Sequence, residues 1–101
     1  MSNYLLSPEA DGDIFDIWQY IAEQADIGTA DRVRSELYTA FEMLSRMPGQ
    51  GHKRSDLTSL SLLFFSVYSY LIVYRLKSPI EIVAVLHGRR DVEQLLKQRS
   101  F

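Results

Sequence analysis

The chain has 101 residues, a formal net charge of −2 and no cysteine. This length suits one domain, which we expect to span residues 1–101 and to bury a core without disulfides or metals. The lack of cysteine excludes thiolate catalysis and cysteine-based zinc sites. We see neither a secretory signal nor an apolar stretch long enough for a transmembrane helix. The lack of cysteine is compatible with a reducing cytosol, and no metal or organic cofactor is implied.

Charge is distributed unevenly along the chain. Residues 1–47 carry three basic and nine acidic side chains, whereas residues 48–101 carry eight basic and four acidic ones. The basic half could face phosphate or an acidic protein partner, or it could be an ordinary solvated surface. The overall balance is too mild to indicate a general DNA-binding protein.

The N-terminal half has the pattern of a strand followed by two amphipathic helices. Asn3–Leu6 is a short apolar run that we predict to be a strand at a sheet edge. Ser7 suits the N-cap of the first helix and Pro8 its first position. We expect Gly28 to end this helix with a positive φ angle and Thr29 to cap the second. Apolar side chains at helical spacing indicate the faces that pack on the core: Ile14, Trp18 and Ile21 in the first helix; Val33, Leu37, Phe41 and Leu44 in the second.

A polar loop, PGQGHKRSDLTS, follows at residues 48–59. It contains the basic run His52-Lys53-Arg54. Loops of this length are often functional, although a solvated connector is an equal alternative. Arg54 is therefore one candidate for binding a target.

Three apolar runs rich in β-forming residues come next: Leu62–Tyr68, Tyr70–Leu76 and Ile80–His87. The short breaks between them predict an antiparallel meander. The segment Asp91–Arg99 has helical character but is too short to be stable alone, so we expect it to dock on the body or on a partner. Together the elements predict an α+β fold: a small antiparallel β-sheet with an N-terminal helical hairpin packed on one face and a short C-terminal helix.

Strand alternation predicts which side chains share a sheet face. If charged Arg75 and Glu81 avoid the helix-covered side, the other face carries Leu71, Val73, Val83 and Val85, with His87 nearby. This would be an open apolar patch rimmed by basic groups, and such patches are often partner-binding surfaces.

The residues also resemble a known family, the RelE/ParE toxin superfamily of bacterial type II toxin–antitoxin systems, and ParE most of all. The matching segments follow the family's order along nearly the whole chain. They are Tyr4–Ala10, Ile17–Ala22, Pro48–His52, Tyr70–Arg75 and Val85–Asp91.

This resemblance implies a cytoplasmic toxin that is neutralised by a cognate ParD-like antitoxin, whose C-terminal segment wraps around the toxin. The predicted open face would then be the antitoxin-binding surface, through strand addition or a helix in a groove. ParE-like toxins are associated with poisoning DNA gyrase by stabilising its cleaved-DNA complex, and with plasmid stabilisation. RelE-like relatives instead cut mRNA on the ribosome.

The first hypothesis is accordingly a gyrase inhibitor that needs a contact surface and no catalytic group. Arg89, Arg90 and Arg54 are the candidate target-binding residues, because arginine pairs strongly with carboxylate or phosphate. Nucleic acid would be contacted only through the target complex. An internal ion pair with Asp91 or Glu93 is the plain alternative for one of the two adjacent arginines.

The second hypothesis is a ribosome-dependent mRNA endoribonuclease of RelE type. RNA cleavage needs a base, an acid and a cation near the phosphate, and Arg75 with His87 would be the candidates here. No tyrosine follows Tyr74, whereas RelE-like enzymes use one near the C-terminus. A relative that has lost toxicity and only binds the antitoxin is a third possibility.

Overall fold

The computed structural model describes residues 3–99 and 101. Its strands are β1 (Tyr4–Leu6), β2 (Leu62–Val67), β3 (Tyr70–Arg75) and β4 (Ile80–His87). Its helices are α1 (Pro8–Gln24), α2 (Ile27–Arg46) and α3 (Val92–Gln98), and a 3₁₀ turn covers Pro48–Gln50. The predicted α+β architecture, with its helical hairpin and short C-terminal helix, is confirmed.

The four strands form one sheet in the order β1-β4-β3-β2. The meander β2-β3-β4 is antiparallel, as predicted. β1 lies at the edge, also as predicted, but it pairs parallel to β4 over only three residues, Tyr4 to Leu6 against Ile80 to Ile82. The sheet is therefore mixed, and within residues 3–99 and 101 no strand pairs with β4 beyond Ile82 on that side.

Short polar side chains define where the two long helices begin. The Ser7 hydroxyl accepts a hydrogen bond from the Ala10 amide at 3.1 Å, which confirms the predicted cap of α1. The second cap is Asp26 and not Thr29, because the Asp26 carboxylate accepts from the Thr29 amide at 2.6 Å. Gly28 consequently lies inside the first turn of α2 and has no positive φ, so our predicted helix end was placed too late.

The helical hairpin covers one face of the sheet with a continuous apolar core. Phe41 is fully buried at its centre, and its ring lies 5.4 Å from those of both Tyr4 and Tyr38. Trp18, which we predicted to be in this core, is only partly buried; its indole N–H donates to Asp31 at 2.8 Å. The core side chains are Ala10, Ile14, Leu37, Ala40, Phe41, Leu44, Ile72, Tyr74, Ile80, Ile82 and Val85.

The prediction of an open second face is wrong. Val73, Val83 and Val85 are at most 4% exposed, and Leu71 is half-buried. The buried residues of α3, Val92 and Leu96, pack on this face together with Val73 and Val83. The helix that we expected to dock therefore covers the patch that we had left for a partner.

Strict alternation fails on β4 because of a β-bulge. Val73 lies opposite Ala84, but the next residue, Tyr74, lies opposite Ile82, so Val83 is an extra residue on β4. The bulge shifts the alternation by one position, and Val85 therefore faces the helical hairpin and not α3. Sequence periodicity alone could not reveal this insertion.

An ion pair fastens the C-terminal end of α3 to α1. Arg99 donates two hydrogen bonds to the Asp13 carboxylate at 2.7 and 2.6 Å, and both side chains are largely buried. The same carboxylate accepts from the Val85 amide at 3.0 Å. Asp13 thus satisfies an edge amide of β4 where β1 no longer reaches.

Candidate functional site

The three predicted target-binding arginines, Arg54, Arg89 and Arg90, line one surface cavity of about 500 Å³. Arg54 comes from the long loop before β2, whereas the other two follow the end of β4. The structure thus brings together side chains that are 35 residues or more apart in sequence. The remaining lining residues are Leu57, Ser66, Tyr68, Ser69, Tyr70, Leu71, Gly88, Asp91, Val92 and Glu93. We call this cavity the basic cleft.

A tight turn after β4 presents the two adjacent arginines. The Gly88 amide donates to the Ser69 carbonyl at 2.7 Å, which joins this turn to the β2–β3 turn. The Arg89 amide donates to His87 Nδ1 at 3.1 Å, and the Arg90 amide donates to the His87 carbonyl at 3.0 Å. His87 therefore holds the turn, while both arginines are exposed.

The loop that carries Arg54 is anchored at its beginning. The buried Tyr74 hydroxyl donates to the Pro48 carbonyl at 2.5 Å and accepts from the Gly51 amide at 2.9 Å. His52 and Phe64 then exchange two backbone hydrogen bonds of 2.8 and 2.9 Å. Burial raises the pKa of Tyr74, so its hydroxyl stays protonated at neutral pH and can donate.

Arg54 itself is paired with a neighbour in the loop. Its guanidinium donates to both Asp56 oxygens at 2.9 and 2.8 Å, which raises the pKa of Arg54 and lowers the pKa of Asp56. Both side chains are exposed, so this pair is weakly stabilising and a ligand can compete for it.

The electrostatic surroundings of Arg89 and Arg90 differ from those of Arg54. Neither forms an ion pair within residues 3–99 and 101 of the structure. The nearby acidic groups are engaged elsewhere: Asp91 caps α3 through the Gln94 amide, and Glu93 lies 3.7 Å from Lys97. The basic cleft therefore presents two unpaired guanidinium groups to solvent.

The two candidate nuclease residues do not form one site. His87 lies opposite Tyr70 at one end of β3, whereas Arg75 ends the same strand and lies opposite Glu81. Five residues of strand separate the two positions by about 17 Å. Arg75 Nε is 3.7 Å from a Glu81 oxygen, and the His87 ring packs against Tyr70 at a centroid distance of 5.3 Å.

The sequence did not indicate a role at this site for two residues of the region. Tyr68 lies in the β2–β3 turn with a φ angle of 54° and is 63% exposed at the cleft. We had assigned it to the end of a strand, where an aromatic residue is ordinary. Tyr74 carried no signal for its contact with the loop, because the contact spans 23 to 26 residues.

A second cavity of about 360 Å³ lies between α1 and the unpaired part of β4. Its walls include Ile17 and Tyr20 from α1 and Val85, Leu86 and His87 from β4. We call it the edge groove. It offers apolar surface beside strand backbone that has no partner strand.

The residues that the structure describes contain no cluster of three or more histidine or acidic side chains that could hold a metal ion. None of the helices in this part of the chain is both long and apolar enough to cross a membrane.

Comparisons with known proteins agree with the fold. A family model described as the ParE toxin of the type II toxin–antitoxin system parDE matches residues 4–92. Toxin ParE1 of Caulobacter vibrioides is 31% identical over 87 residues, covering 86% of this chain and 90% of that protein. Toxin ParE1 of Mycobacterium tuberculosis is 29% identical over 97 residues, covering 94% and 98%.

A solved structure described as a chromosomal ParDE toxin–antitoxin system from P. aeruginosa has a TM-score of 0.72 to this chain. The match covers 86% of this chain and 96% of that one at 14% identity, so it supports the fold alone. The family model, by contrast, spans most of the sequence. The chain therefore belongs to the ParE toxin family of type II toxin–antitoxin systems.

Proposed function

We propose that this toxin acts in the bacterial cytoplasm on DNA gyrase, stabilising the cleaved-DNA complex, and that a ParD-like antitoxin neutralises it. In that role it would contribute to plasmid stabilisation. The observation that carries the proposal is the convergence of Arg54, Arg89 and Arg90 on one exposed cleft. An inhibitor that works by binding needs such a surface and no proton-transfer machinery.

Charge chemistry makes the basic cleft suitable for a gyrase–DNA complex. Arginine binds carboxylates and phosphates through two parallel hydrogen bonds, and both groups are present in such a complex. Because Arg89 and Arg90 have no ion pair within the described residues, no internal pair must be broken when they bind. Arg54 would exchange its exposed partner Asp56 for the target.

The nuclease alternative has no comparable support. Arg75 of β3 and His87 of β4 lie at opposite ends of this strand pair, so one phosphate could not contact both side chains. Nδ1 of His87 already accepts a backbone hydrogen bond, which gives this ring a structural role in the turn.

For the antitoxin, burial changes which predicted contacts are accessible. Val73 and Val83 lie beneath α3, so they could meet a partner only if α3 moved. Leu71 reaches the basic cleft and Val85 lines the edge groove. We therefore place the antitoxin segment at the edge groove, where an extended chain could add to β4 beyond Ile82 by replacing Asp13 at the Val85 amide.

The test is a cleavage assay with purified toxin, gyrase, ATP and supercoiled plasmid, in which the products are examined after protein digestion. We expect linear plasmid to accumulate with toxin and to disappear when the antitoxin encoded beside it is added first. Intact plasmid at high toxin excess would contradict the proposal. A translation extract assayed for mRNA cleavage, with Arg75→Ala and His87→Ala as variants, would then test the alternative.

A further inference from the structure

The backbone of Tyr68 has an unusual conformation. Within the described residues it is the only non-glycine residue with a positive φ angle, at 54°. Side chains with a Cβ are disfavoured in this left-handed region, where glycine and asparagine are usual. Backbone preference would favour glycine or asparagine in this turn, so another property must account for the tyrosine.

Packing in the core does not account for this tyrosine. Tyr68 belongs to neither apolar core of the described chain, and 63% of it is exposed. Its hydroxyl interacts with Glu36 of α2, which raises the pKa of Tyr68. This interaction lies at the surface and does not need the aromatic ring to be exposed. Strained residues that the core does not require are concentrated at ligand-binding sites.

The surroundings of Tyr68 indicate what the ring could contact. The hydrogen bond between Gly88 and Ser69 holds the Tyr68 turn beside Arg89 and Arg90, and all three residues line the basic cleft. Ser66 and Ser69 add hydroxyl groups to the same walls. An exposed ring among guanidinium groups is the arrangement with which proteins bind single-stranded nucleic acid, by stacking on a base and neutralising the adjacent phosphates.

We propose that the basic cleft binds a single-stranded segment of DNA, with Tyr68 stacked on one base and Arg89 and Arg90 on neighbouring phosphates. This deepens the proposed function and rests on it in one respect: the strand would belong to the cleaved DNA held by gyrase. The chain's net charge of −2 means that affinity for free DNA is low and confined to the cleft.

Nuclear magnetic resonance detects such weak binding directly. Isotope-labelled toxin is titrated with short oligothymidylate at low salt, and amide shifts are followed. We expect saturable shifts in residues 66–70 and 88–91, together with Arg54. The same titration with the matching double-stranded oligonucleotide should give smaller shifts, because its bases are not free to stack.

Variants separate a binding role of Tyr68 from a structural one. Tyr68→Asn tolerates the left-handed backbone but removes the ring, so we expect binding to weaken about tenfold while the melting temperature stays equal or rises. Tyr68→Phe should keep the binding, since it loses only the hydroxyl interaction with Glu36. Phe15→Ala is the control, because Phe15 is 61% exposed but lies on α1, outside both the basic cleft and the edge groove.

Three results would overturn the inference. The first is an absence of shifts with millimolar oligothymidylate, even if the toxin produces linear plasmid; the cleft would then contact gyrase protein only. The second is a lower melting temperature with unchanged binding in Tyr68→Asn. The third is equal loss of binding in Phe15→Ala. Saturable binding without linear plasmid would leave the strand site standing and contradict the gyrase proposal alone.

Discussion

The two faces of the sheet are covered very differently. Helices of 17 and 20 residues bury one face, whereas a seven-residue helix and the edge of a loop cover the other. All three candidate target-binding arginines lie around the thinly covered face or its rim. We infer from this comparison that the helical hairpin provides the main stabilising core of this small domain. The rim of the other face is then available as a contact surface.

The largest effect should come from the centre of the hairpin face. Phe41→Ala removes a fully buried ring that contacts two tyrosines, so we expect a loss of about 3–5 kcal/mol in unfolding free energy. Urea denaturation measures it. Phe15→Ala is the matched control, since Phe15 is 61% exposed and should cost less than about 0.5 kcal/mol. Equal losses would show that the hairpin does not dominate stability.

A smaller loss is expected on the thin face. Leu96→Ala truncates a 3% exposed side chain of α3, but this helix has only seven residues and a smaller core around it, so the cost should be about 2 kcal/mol. Lys97→Ala on the same helix removes only a surface pair with Glu93 and serves as the control. A loss larger than that of Phe41→Ala would reverse the comparison.

The loop anchor offers a third test. A Cβ on Gly51 would lie 2.7 and 2.8 Å from ring atoms of Tyr74, whereas one on Gly49 would meet nothing within 4 Å. We therefore expect Gly51→Ala to cost about 1–3 kcal/mol in urea denaturation and Gly49→Ala to be nearly neutral. Two equally mild effects would mean that Tyr74 does not hold the loop that carries Arg54.

The smallest effect concerns the start of α2. Hydrogen bonding to Thr29 lowers the pKa of Asp26 in the folded chain. The carboxylate therefore contributes stability above its unfolded pKa, and this contribution is lost as the pH falls through its folded pKa. Asp26→Asn keeps a cap acceptor without the charge. The thermal stability of this variant should decline less than that of the unsubstituted protein between pH 5 and the acid limit. Parallel pH profiles for the two proteins would contradict this.

Much of the fold was predictable because the local signals agree with one another. The meander, the helical hairpin, the Ser7 cap and the docking of α3 all follow from periodicity, cap chemistry and helix length. The cap of α2 was misplaced because Asp26 and Thr29 are both good cap residues and lie three positions apart. Only the geometry shows which one accepts the hydrogen bond.

The β-bulge explains why the predicted assignment of β4 side chains to the two faces of the sheet was wrong. One extra residue, Val83, changes the orientation of all later β4 side chains, and no turn residue marks it in the sequence. The sequence could predict which basic residues belong to the candidate site, but not that they lie close together in the fold. Arg54 and Arg89 converge through tertiary hydrogen bonds at Tyr74 and Gly88, and each of those links a pair of residues far apart in sequence.

The most direct test of the account is to remove equal charge from the two sides in the gyrase cleavage assay. Arg89→Ala with Arg90→Ala removes the two unpaired arginines of the basic cleft, whereas Arg34→Ala with Arg46→Ala removes two exposed arginines from α2. The measured quantity is the toxin concentration that gives half-maximal linear plasmid, with folding verified by circular dichroism. We predict a rise of about tenfold or more for the cleft variant and little change for the α2 variant. Equal shifts, or a larger one for the α2 variant, would contradict the assignment of function to the thinly covered face.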